Sequence, residues 1–141
     1  MSRRTPRAVL IRSLAVACGL ALAAVAEAPV AARAQSVEDG SDAAIGPRDA
    51  RAVLDLIAHH LRRPDARITV LRRSAGSVIC GSVNVKNRDG LYIGERGFVA
   101  DLATAYFGRI PEGPELLSAL PAEDRAAMEH ARERYFAMCL D

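Results

Sequence analysis

The chain has 141 residues, 19 of them basic and 17 acidic, with a formal charge of +2 and half of its residues apolar. A chain this short supports one domain, because two separate cores would leave too much apolar surface in water. Residues 1–34 hold five of the basic side chains and one of the acidic ones; the other 107 residues carry 14 against 16, a charge of −2. That balance excludes a basic nucleic-acid surface as the default reading, since neutralising phosphates requires an excess of Lys and Arg.

The chain opens as a secretory signal peptide. Arg3, Arg4, Arg7 and Arg12 form a positive n-region, Ser13 to Ala26 is an uncharged apolar run of 14 residues, and Ala32-Arg33-Ala34 places small residues where a signal peptidase reads them. Cleavage is expected before Gln35, with Ala24-Val25-Ala26 and cleavage before Glu27 as the alternative. A run of 14 falls short of the about 20 apolar residues a spanning helix needs, so no membrane attachment is expected after cleavage, with retention of the leader as a membrane tether the alternative. Arg12 precedes Cys18 too closely for lipoprotein processing. Pro6 and Arg7 stand where a twin-arginine signal beginning at Ser2-Arg3-Arg4 would carry hydrophobic residues. A single Lys, Lys86, against 18 Arg, together with abundant Ala, reads as a GC-rich bacterial coding sequence, so export means periplasm or secretion.

Residues 35–46 have few large apolar side chains and read as a flexible spacer. From residue 47 to the end, a single α+β domain is expected. Pro47 opens a helix where its missing N–H does no harm. Ala50, Val53, Leu54, Ile57 and Leu61 recur at helical spacing, and Arg62, Arg63 and Pro64 end the element, predicting a helix over 48–62. Ile68 to Arg73 and Val78 to Lys86 read as strands. In the second, alternation sends Ile79, Val83 and Val85 to one face, and Cys80, Ser82, Asn84 and Lys86 to the other. Asn87-Arg88-Asp89-Gly90 is hairpin-loop chemistry, and Leu91 to Glu95 returns as a strand. Phe98 to Tyr106 fits strand or helix, with strand favoured at its start, and Gly108 to Pro114 reads as an irregular loop. Pro121 to Leu140 is a second long helix with acids in its first turn and Met128, Ala131, Tyr135, Met138 and Cys139 along one side. The expected architecture is a small antiparallel sheet of three or four strands, with the N-terminal and C-terminal helices covering one face.

Cys18 leaves with the leader, so Cys80 and Cys139 remain, an even number that suggests one disulfide in an oxidising compartment; two separate buried thiols are the alternative. The pairing requires the last helix to pack on the sheet face that bears Cys80. No Cys-x-x-Cys exists to support a thioredoxin-like role.

The run Cys80-Gly81-Ser82-Val83-Asn84-Val85-Lys86-Asn87, followed by Gly90, Tyr92, Gly94 and Phe98, resembles a family of small exported proteobacterial proteins. Their core reads Cys-Gly-x-Val-Asn-x-Lys-Asn, then Gly-x-Tyr-x-Gly and an aromatic. Leu61-Arg62-Arg63-Pro64-Asp65-Ala66 is similar to the family's approach to its first strand, and the resemblance spans Leu61 to Phe98. The chain departs from the pattern at Leu91, where a second Gly is usual, and at Ser82, where an acid is common. The resemblance implies fold and compartment and no activity.

Within that run, Asn84, Lys86, Asn87 and Tyr92 are the candidate binding residues. One reading makes them a polar patch for an anionic or amide-rich partner, such as an envelope protein or a cell-wall fragment. The other has the Asn side chains satisfying backbone groups of the hairpin, with Lys86 solvated at the strand end. His59 and His60 are adjacent and diverge by about 100° on a helix, which does not suit a shared metal. Ligand spacing, a nucleophile elbow and a phosphate loop are all absent, so neither metal nor cofactor is expected. The first functional expectation is a non-catalytic binding or accessory factor of the bacterial envelope. The alternative is a small envelope hydrolase pairing His59 or His60 with a carboxylate.

Overall fold

A computed structural model describes residues 35–111 and 113–140; the leader lies outside the described residues. The elements in chain order are β1 (Ser36–Val37), α1 (Asp42–Ile45), α2 (Pro47–Leu61), β2 (Arg67–Arg73), β3 (Val78–Lys86), β4 (Tyr92–Asp101), β5 (Tyr106–Arg109), α3 (Gly113–Leu117) and α4 (Ala122–Cys139). The fold is α+β, built on one five-stranded sheet in the order β1-β2-β3-β4-β5. β1 runs parallel to β2 and every other neighbouring pair is antiparallel, so the sheet is mixed. A parallel pair needs a crossover connection, which α1 and α2 supply here.

Five strands replace the three or four expected. The two extra ones are short. β1 pairs Ser36 and Val37 with Arg67 and Ile68, and a two-residue strand carries no periodicity to read. It lies in the stretch that composition reads as a spacer, where Ile45 of α1 is also buried. β5 occupies the start of the expected loop, because the strand that begins at Tyr92 runs on to Asp101 and folds back at Tyr106.

The helices also divide differently from expectation: α2 and α4 cover opposite faces. Ala50, Val53 and Ile57 of α2 pack with Ile68, Leu71, Ile79, Val83, Phe98, Ala100 and Phe107. Cys139, Tyr135 and Met138 of α4 pack with Val78, Cys80, Val99 and Tyr106. The reason is visible in the strands. Val78 through Gly81 and Phe98 through Asp101 are consecutively buried, which happens only where both faces of a sheet are covered. The predicted faces of β3 hold, with Ile79 and Val83 on the α2 side and Cys80 on the α4 side.

Cys80 and Cys139 are joined, with their Cα atoms 5.7 Å apart, within the range a disulfide spans. The Arg72 guanidinium and the Ser74 hydroxyl donate to the carbonyls of Cys139 and Met138, closing the C-terminal end of α4 against the sheet. Close approach of α4 also depends on Gly97, where an added Cβ would lie 2.5 Å from the Tyr135 ring.

Asp101 anchors the other end of this interface. Its carboxylate accepts bonds from the Ser77 hydroxyl (2.7 Å), the Ala103 N–H (3.1 Å) and the Arg134 guanidinium (3.1 Å), and Arg134 in turn lies over the Tyr106 ring. The Ser77 hydroxyl, with further help from Thr104, Ala103 and Arg134, holds the Asp101 carboxyl down at about 2. A depressed folded-state value means this contribution is fully present above the unfolded carboxylate range and is lost as pH falls toward 2. Asp101→Asn is therefore expected to lower the urea midpoint at pH 7, and the gap to the parent should narrow steadily between pH 5 and pH 2. A gap independent of pH would show that the charge on Asp101 contributes nothing.

Candidate functional site

α4 covers only half of its face of the sheet. Cross-strand register places Arg67, Asn84 and Glu95 side by side, with Lys86 opposite Tyr92, all on the face that bears Cys80 but past the reach of Tyr135 at Gly97. This half is polar and partly exposed. Tyr92 is its centre. The Arg67 guanidinium lies 4.0 Å from the ring centroid and the Lys86 ammonium 5.1 Å from it. The Tyr92 hydroxyl donates to the Asp65 carbonyl (3.0 Å), which fixes the ring against the β2 entry.

Both cations have carboxylates nearby. Arg67 Nε is 3.1 Å from Glu38, and Lys86 Nζ is 3.7 Å from Asp65. Pairs this exposed contribute between nothing and about 1 kcal/mol, so an incoming anion can compete for the cations at small loss. Thr69 donates to Glu95 at 3.2 Å and completes the polar surface.

The four sequence candidates divide into two pairs. Lys86 and Tyr92 meet on the open face. Asn84 and Asn87 instead hold the hairpin backbone. Between Asn84 and Lys86 the register slips, leaving Gly94 at φ +104° on a bulge, and the Asn84 side-chain oxygen accepts the Gly94 N–H at 3.1 Å. The Asn87 oxygen accepts the N–H groups of Asp89 (2.9 Å) and Leu91 (3.0 Å) across the turn. Arg67, Asp65 and Glu38 are the members that sequence reasoning missed. Alternation along β2 puts Arg67 and Thr69 on one face, but only the register with β3 shows that it is the face of Lys86.

The histidines are exposed and make ring contacts at the surface. His60 stacks on Phe107 at 5.6 Å, with His59 beside it, and His130 meets the edge of Tyr106 at 5.5 Å. None forms an ion pair with a carboxylate among the described residues. No group of His, Cys, Asp and Glu suited to a metal ion occurs among them either. Among the described residues no helix is long and apolar enough to cross a membrane. No protein-family model, curated protein or solved structure matches the chain.

Proposed function

We propose that this protein is an exported, disulfide-closed module of the bacterial envelope, periplasmic or secreted, which acts by binding rather than by catalysis. Its contact surface is the half-sheet left open by α4, with Arg67 and Lys86 flanking Tyr92. The partner is an anionic or amide-rich group of an envelope protein or a cell-wall fragment. The observation that carries this reading is the pair of cations stacked on one aromatic ring at an uncovered sheet face. The Cys80–Cys139 geometry and the n-region, apolar run and small-residue site of the leader support the compartment.

Arg67→Ala with Lys86→Ala is expected to weaken binding to the partner, captured by crosslinking in the envelope, by at least tenfold. The melting temperature should stay within about 3 °C of the parent, because exposed ion pairs contribute so little. Asn84→Ala behaves in the opposite way. It removes the hydrogen bond from the Gly94 N–H that holds the bulge, is expected to lower stability by up to about 1 kcal/mol, and leaves capture of the partner intact. Full binding by the Arg67/Lys86 variant would refute the contact surface. Recovery of a cytosolic protein that still begins at Met1 would refute the envelope reading.

A further inference from the structure

A second concave surface lies away from the sheet face, along one flank of α2. It is an open groove with a volume of about 590 Å³, within the range of small-ligand sites. Its floor is apolar: Ala50, Leu54 and Ala58 of the helix, with Pro47 and Pro64 at the two ends. Its rim is charged. Arg62 and Arg63 stand at the C-terminal end of α2, Arg51 and Asp55 partway along, and Asp42 near the start. Arg67, Arg73 and Lys86 each have a carboxylate partner, whereas none of these five rim groups has an ion-pair partner among the described residues.

We propose that this groove binds a long-chain fatty acid, with its acyl chain on Ala50, Leu54 and Ala58 and its carboxylate between Arg62 and Arg63. Three features point to that ligand. The length fits: from Pro47 to Arg62 the helix rises about 22 Å, and the acyl chain of one bilayer leaflet spans about 15 Å, leaving room for a head group. The hydrogen-bonding character of the wall fits as well. The main chain of α2 is bonded internally, so the helix flank offers an extended peptide nothing to pair with, while an acyl chain asks for no such partners. Finally, the charge fits. Three Arg against two Asp leave the rim with one net positive charge, and Asp42 lies at the end opposite the Arg62–Arg63 pair, which sets the direction of a singly charged amphiphile.

The test is displacement of a fluorescent fatty-acid probe from the oxidised protein purified from cells, with hexadecanoate below its micellar concentration. Saturable binding at one site per chain is expected. Decanoate, six methylenes shorter, should bind at least tenfold more weakly, since each fully buried methylene contributes about fourfold. Hexadecyltrimethylammonium, with the same chain and the opposite charge, should also bind at least tenfold more weakly. Ala58→Trp, at an exposed position, fills the trough and should abolish displacement with an unchanged melting curve. Arg62→Asn with Arg63→Gln keeps a residue suited to the left-handed backbone at position 62 (φ 51°) and should reduce hexadecanoate affinity at least tenfold. Equal affinity for the two chain lengths, indifference to head-group charge, or full binding by folded Ala58→Trp would overturn the assignment. Saturable binding of a lysophospholipid or of an apolar peptide in place of hexadecanoate would overturn it too.

Discussion

Replacing Cys80 and Cys139 together by alanine should lower the melting temperature by about 15–25 °C. The bond closes a loop between residues 59 apart. Releasing such a loop returns about 4 kcal/mol of chain entropy to the unfolded state, and about 1 kcal/mol moves the midpoint of a domain this size by about 4–6 °C. The consequence falls mainly on α4. Only Ala131 and Cys139 are buried along its 18 residues, so the helix has little apolar area of its own to hold it on the sheet. Its C-terminal end depends on the disulfide and on the bonds from Arg72 and Ser74. Thermal melts of the oxidised parent, the reduced parent and the double variant measure the effect. A variant melting within about 3 °C of the oxidised parent would show that the crosslink is dispensable. The oxidised chain should also be 2 Da lighter than the reduced one by mass spectrometry, with neither Cys80 nor Cys139 labelled by a thiol reagent in denaturant.

Phe98→Ala is expected to cost about 4 kcal/mol, the other large effect. Phe98 is fully buried between α2 and the sheet and lies against Phe107, with ring centroids 5.5 Å apart. Its ring passes directly over Gly81 on the neighbouring strand, where an added Cβ would lie 2.7 Å from the ring and 2.9 Å from Leu71. Gly81→Ala should therefore destabilise by overpacking, by about 2 kcal/mol. Combining it with Phe98→Leu, which removes the colliding ring atoms, should cost less than the two changes added together. Urea unfolding of the parent, both single variants and the double variant measures that coupling. Strict additivity would show that the contact between Gly81 and Phe98 carries no energy.

Much of the fold is legible in local pattern. The stripe from Ala50 to Leu61, bounded by Pro47 and Pro64, marks α2 to within a residue at each end, and alternation from Val78 to Lys86 marks β3 with both of its faces. The inner side of α4, from Met128 to Cys139, emerges from helical spacing alone and reaches the sheet as Cys139 and Tyr135. Elsewhere the local signal is too short or shared between periods. β1 has two residues, and the edge of β2 beyond it is closed by side chains, with Asp39 accepting the Val70 N–H and the Ser41 hydroxyl accepting that of Leu71. Phe98, Leu102 and Tyr106 suit either a helix or a strand. Burial decides for strand, because the chain turns back after Asp101 and Phe107 fills the α2-side core.

The candidate face divides in the same way. Asn84 and Asn87 flank a turn sequence, and their role in bonding the hairpin backbone follows from chemistry that operates over two to ten residues. The meeting of Arg67, Lys86 and Tyr92 depends on a register between strands distant in sequence, and a slip of one residue would have sent Arg67 to the other face.

Amino-acid order alone determined the charge balance, the two cysteines after residue 34, the two long helices and the central hairpin, because each is read from composition or from neighbours within a few turns or a strand's length. Tertiary structure decided which helix lies on which face, that a two-residue strand joins the sheet in parallel, and which cations reach Tyr92. Those outcomes follow from burying both faces of β3 and β4 at once, a demand met only when residues far apart in the chain come together.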